Sequence, residues 1–118
     1  MKSLTITKCN LIDYYRERIN RFGWSEVLGI SDTGYPRCLA TGIADYARND
    51  VLVMEYPGFL KDYYRRLVYH EFGHLMGLGH LKDKNDVMYP NFMRGNEGIE
   101  VIRDWFIIEW NFDIEEYL

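Results

Sequence analysis

All three histidines of this 118-residue chain fall within eleven residues, HEFGHLMGLGH at 70–80. No other stretch limits the fold so tightly. Across 60–76, LKDYYRRLVYHEFGHLM, the apolar residues Tyr64, Leu67, Val68, Phe72, Leu75 and Met76 recur at helical spacing, which predicts a helix with one face turned inward. Residues four apart on a helix lie one above the other, so His70 and His74 project from the same face. Gly77 follows three residues after His74, and glycine tolerates the left-handed backbone that ends a helix. The chain therefore turns there, and His80 swings back toward the other two. At average residue usage such a pattern arises by accident in roughly one chain in 10⁵ of this length, so the clustering calls for a chemical reason.

Metal ligation supplies one. Two imidazoles at i, i+4 can reach a single Zn²⁺ at about 2.0–2.1 Å, and a third from the following turn leaves the fourth position open, the pattern of a catalytic zinc site. Glu71 adjoins the first ligand and can reach a water at that position without ligating the metal. A lone buried histidine is ordinarily a hydrogen-bonded core residue, but three at ligand spacing with an intervening glycine are not. A purely structural zinc would favour a fourth protein ligand and has no use for Glu71. Cys9 and Cys38 are both distant in sequence, which makes that reading the weaker one.

The rest of the chain predicts an α+β domain spanning 1–118, built on a small sheet. SLTIT (3–7), WSEVLGI (24–30), CLATGIADY (38–46) and VLVMEY (51–56) read as strands, the last two joined closely enough for an antiparallel hairpin. Asn10 caps a predicted helix over 11–22 with Leu11, Tyr15, Ile19 and Phe22 along one face. A C-terminal helix is expected over about 97–110, with Ile99, Ile102, Trp105 and Phe106 as its stripe, followed by an acidic, mobile tail DIEEYL. A net charge of −4 excludes a nucleic-acid or anionic-membrane partner recruited by bulk electrostatics. Two cysteines are too few for a disulfide framework and read as free thiols. Asp83 and Asp86 are too sparse for a calcium loop and read as a solvated turn.

HEFGHLMGLGH resembles the zinc signature of the metzincin metalloproteases at every specified position, and DVMYP (86–90) resembles their Met-turn. The eight-residue step from His80 to Met88 and the MYP wording are most similar to the matrixin branch, the relatives of matrix metalloproteinases. The resemblance covers residues 70–92. It implies a metzincin-like zincin fold with one catalytic zinc on His70, His74 and His80. It also implies Glu71 as general base, Met88 beneath the metal, and Pro90, Asn91 and Phe92 as the wall of the specificity pocket. Matrixins usually show Pro-x-Tyr at that wall, so Phe92 keeps the ring and drops the hydroxyl. Leu81 stands where matrixins commonly carry a small hydroxyl residue. With every histidine spent on one zinc, a second, structural zinc has no ligands here. Only 69 residues precede His70, too few for a propeptide plus a full upper subdomain, and no cysteine follows His80 as in the archaemetzincins. PRC at 36–38 is similar to the matrixin propeptide switch, but it lies within the expected domain body with Leu39 in place of glycine, so Cys38 reads as an ordinary half-buried cysteine.

The expected activity is zinc-dependent endopeptidase hydrolysis of a protein or peptide substrate, with Glu71 moving the proton and the backbone or Tyr89 as a second oxyanion donor. A rival from another class is a catalytically silent metzincin-fold module within a larger assembly. A third reading is a narrow-specificity peptidase acting on a partner made in the same cell. MKSLTITKCN lacks an apolar h-region and a small-residue cleavage site, so no signal peptide is expected, no segment approaches a membrane span, and a cytoplasmic or assembly-associated location is the expectation.

Overall fold

The computed structural model describes residues 3–90 and 95–118. Three strands, β1 (Thr5–Cys9), β2 (Gly42–Asp45) and β3 (Asp50–Met54), form a mixed sheet in the order β1-β3-β2. β1 runs parallel to β3, and β2 runs antiparallel to it with Gly42 opposite Val53 and Asp45 opposite Asp50. The hairpin predicted between the last two strands is present, and Asn49 takes a left-handed conformation at its turn (φ 49°). Three longer helices complete the α+β domain: α1 (Leu11–Phe22), α2 (Lys61–Leu75) and α3 (Ile99–Trp110).

β3 reads DVLVM and is buried along its whole length because both of its faces are covered. On one face Val51 and Val53 pack with Leu67, Val68 and Phe72 of α2 and with Ile102 and Phe106 of α3. On the other, Leu52 and Met54 meet Tyr14 of α1. Each such fully buried aliphatic side chain contributes about 1.5–3 kcal/mol, so the central strand fixes the helices on both sides. At one end of the sheet Arg21 bridges the buried carboxylates of Asp45 (3.2 Å) and Asp50 (2.5 Å), and the Thr5 and Thr7 hydroxyls donate to Asp50 at 2.7 Å each. That network ties α1 to all three strands.

Five sequence expectations are corrected. Residues 24–30 are not a strand: Trp24–Glu26 form a short 3₁₀ turn between Gly23 and Gly29, both at φ 84°, and that backbone breaks an extended run. The strand expected over 38–46 is confined to Gly42–Asp45, because Arg37–Leu39 coil into another 3₁₀ turn. Cys38 in that turn is exposed rather than half-buried. The acidic tail is anchored: Ile114 is fully buried in the core, Asp113 takes a bidentate ion pair from Arg103 (2.9 Å each), and Glu115 takes Arg65 (2.6 Å) and the Tyr69 hydroxyl (2.9 Å). The inward face of α1 also differs. Tyr14 and Arg18 are its buried residues, while Leu11 is exposed.

Candidate metal centre

α2 carries the first two histidines and ends as the sequence requires. The Leu78 N–H bonds the Gly73 carbonyl (2.9 Å) and the Gly77 N–H the His74 carbonyl (3.0 Å), a Schellman motif with Gly77 at φ 98°. The reversal returns His80 to α2, and a ring nitrogen of each of the three histidines lies within 4.8 Å of the others. His70 is buried, His74 half-buried and His80 exposed, so the cluster opens to solvent on one side.

Two carbonyls fix the ring tautomers. His70 Nδ1 lies 2.7 Å from the Val87 carbonyl and His74 Nδ1 lies 2.8 Å from the Leu78 carbonyl. A carbonyl only accepts, so both Nδ1 atoms carry the proton and both Nε2 atoms present bare lone pairs. These Nε2 atoms are 3.2 Å apart, and His80 Nε2 is 3.1 Å from that of His74. Burial pushes all three histidines below their ordinary pKa, His70 to about 4, against the opposing pull of the Val87 carbonyl on His70, the Leu78 carbonyl on His74 and the Asp32 charge on His80. Protonation at neutral pH therefore does not relieve the repulsion. A divalent cation does: a tetrahedral ion with bonds of about 2.0–2.1 Å has ligand edges of about 3.3–3.4 Å, close to the observed spacing. The donor set fits zinc.

The predicted Met-turn is built on Asp86. Its carboxylate accepts the Met88 N–H (2.8 Å) and its carbonyl the Tyr89 N–H (3.1 Å). Met88 is buried, and its carbonyl takes the N–H of Leu81, the residue after the third histidine (3.1 Å). One turn thus braces both His70, through Val87, and the backbone beside His80. Gly73 makes room for it, since a Cβ there would collide with Met88 Sδ and lie 3.3 Å from Ile102 Cδ1.

Glu71 is 5% exposed and sits under the sheet. A Cβ on Gly42 would lie 2.9 Å from Glu71 Cγ and 3.2 Å from Oε2, so the missing side chain of β2 admits the carboxylate. Burial raises the Glu71 pKa to about 8, with the Arg18 charge pulling the other way. Of the expected pocket wall, Pro90 is half-buried, while Asn91 and Phe92 lie outside the described residues. Cys38 is not among the side chains grouped with the histidines. An apolar hollow of about 240 Å³ behind the Met-turn is lined by Leu78, Leu81, Met88 and Val101 among others, and by none of the three histidines.

Gly42, Gly73, Arg18 and the Val87 and Leu78 carbonyls escape sequence reasoning. Gly73 alone left a signal: a glycine inside a helix costs about 1 kcal/mol against alanine, which marks a close approach.

Fold and site together define a zinc-metalloprotease-type domain of the peptidase kind. The profile of the family described as Matrixin matches residues 42–104, more than half of the chain, and the chain belongs to that family. The matched span takes in β2, β3, α2, the Met-turn and α3 as far as Asp104. No curated protein and no solved structure matches the chain. Among the described residues no helix is long and apolar enough to cross a membrane.

Proposed function

We propose that the chain is a zinc-dependent endopeptidase in which His70, His74 and His80 hold the ion and Glu71 is the general base. The observation that carries this is the convergence of three histidine nitrogens, with the buried Glu71 next to the first of them in sequence. Zinc supplies a Lewis acid at that place, polarising a carbonyl and acidifying water. The chain's own part begins with substrate placement. β2 is an edge strand, and the Met54 N–H to Thr41 carbonyl bond (2.9 Å) sets the phase of its pairing with β3. In that phase the backbone groups of Gly42 and Ala44 point away from β3, free to pair with an extended peptide by strand addition.

Glu71 lies against Gly42, next to that edge. Its carboxylate accepts a proton from the attacking water and delivers it to the departing amine nitrogen. The resemblance to matrixins assigns Pro90, Asn91 and Phe92 to recognition of the side chain after the scissile bond.

The rival, a catalytically silent interaction module, draws support from the exposed Val101 and Ile108 on the outer face of α3 (67% and 77%). Glu71→Gln decides between the two. The substitution keeps shape and removes only the proton acceptor, a role worth about 10²–10⁴-fold in rate. Cleavage of a peptide library by zinc-loaded wild type, lost in the variant with zinc content unchanged, is the expected result. A wild-type protein with full zinc that cleaves nothing refutes the enzyme reading.

A further inference from the structure

The stretch leading into β2 is held by side chains where a sheet would hold it by backbone. Tyr14 Oη donates to the Ala40 carbonyl (3.1 Å) and the Tyr15 hydroxyl to the Cys38 carbonyl. Arg18 Nη1 donates to the Arg37 and Ala40 carbonyls at 3.3 Å each, and Nη2 to the Glu26 carbonyl at 2.6 Å. Three residues of one helix thus grip residues 37–40 just before Gly42, where β2 closes on Glu71.

Arg18 is an expensive way to fill a core. It is 3% exposed, its Nε is buried without a partner, and no described carboxylate lies within ion-pair distance of it. A buried cation is penalised unless paired, and an aliphatic side chain would pack the same space more favourably. What an aliphatic residue cannot do is hold three carbonyls from two separate turns. The grip also lies outside residues 42–104, the span matched by the family profile.

We propose that Tyr14, Tyr15 and Arg18 are positioning residues that fix the entry of β2, keeping its free edge in place over Glu71 for a bound peptide. The catalytic consequence rests on the endopeptidase reading; the mechanical coupling between α1 and β2 does not.

The test uses the zinc-loaded full chain and the double variant Tyr14→Phe/Tyr15→Phe, which deletes two hydroxyls and no ring. Arg18→Lys keeps the charge but offers one ammonium in place of the guanidinium fork. Amide hydrogen exchange at Leu39, Ala40 and Ile43 is expected to accelerate at least about tenfold, with Val53 and Phe72 changing less than about twofold. Zinc stoichiometry stays the same, KM for a peptide spanning the cleft rises about fivefold or more, and kcat stays within about twofold. Acceleration spread evenly over β3 and α2 makes the three residues ordinary core and overturns the proposal. So does unchanged exchange at 39–43, or local loosening with unchanged KM. If wild type cleaves no peptide, the endopeptidase reading fails and the exchange pattern alone decides the coupling.

Discussion

His70 Nδ1 donates to the carbonyl of Val87, 2.7 Å away, so the residue before the buried methionine of the turn decides which nitrogen of the first histidine is free. Such outer partners orient ligands and raise their basicity. Here the partner is main chain. No side-chain substitution at 87 removes it, and only movement of the turn can.

Metal removal is expected to weaken the fold as well as abolish activity. A ligand at about 1,000 times its Kd stabilises the native state by about 4 kcal/mol. Chelation should therefore lower Tm markedly, and elemental analysis after reconstitution should give one zinc per chain. His74→Ala should lose metal, activity and stability together, because its ring lies within 3.2 Å of both other ligand nitrogens.

Gly73→Ala sets helix propensity against packing. Alanine gains about 1 kcal/mol in a helix interior, while overpacking a closed core costs typically about 1–3 kcal/mol. Met88 and Ile102 are both buried, and the added Cβ would collide with Met88 Sδ. A net loss of up to about 2 kcal/mol is expected in urea unfolding. Met88→Leu in the same chain, which shortens the colliding side chain, should recover part of it.

The anchored tail carries a pH dependence of known sign. Burial raises Glu115, but hydrogen bonds from Arg65 and Tyr69 outweigh it and hold the carboxyl below its ordinary 4.5. Asp113 is held below its ordinary 3.8, first by Arg103. A depressed folded pKa contributes stability that is present above the unfolded value and lost as pH falls through the folded one. Thermal unfolding should show wild type more stable than Glu115→Gln at about pH 6, and the difference should shrink steadily on acidification below about 4.5.

Cys38 is exposed on a 3₁₀ turn and stands apart from the histidine group, so Cys38→Ser should leave activity nearly unchanged. Strong activation on substitution or on thiol alkylation would show instead that the thiol reaches the metal.

The features that were legible in sequence are those encoded by short-range spacing. α2 follows from its periodicity, the triad from i, i+4 and one glycine, and the β2–β3 hairpin from two apolar runs with a short connection. Segment 24–30 misled because its apolar residues suit a strand, whereas Gly23, Gly29 and the capture of the Glu26 carbonyl by Arg18 decide otherwise. The tail misled for a related reason: its acids read as solvated, but their arginine partners lie 10 and 50 residues away. Gly42 and Gly73 acquire meaning only once β2 and the Met-turn arrive beside α2.

Those two glycines have a consequence for how α2 is set about its own axis. One neighbour touches the helix through a residue lacking a side chain, at 42, and the helix touches another neighbour through a residue lacking one, at 73. Each residue advances an α-helix by about 100°, so even a modest twist would carry a bulky group into one contact or the other. The helix is keyed like a shaft in a slot rather than free to roll like a rod. The azimuth of its two histidines is accordingly cut into the polypeptide itself, and an arriving ion meets an aligned pair instead of having to turn one.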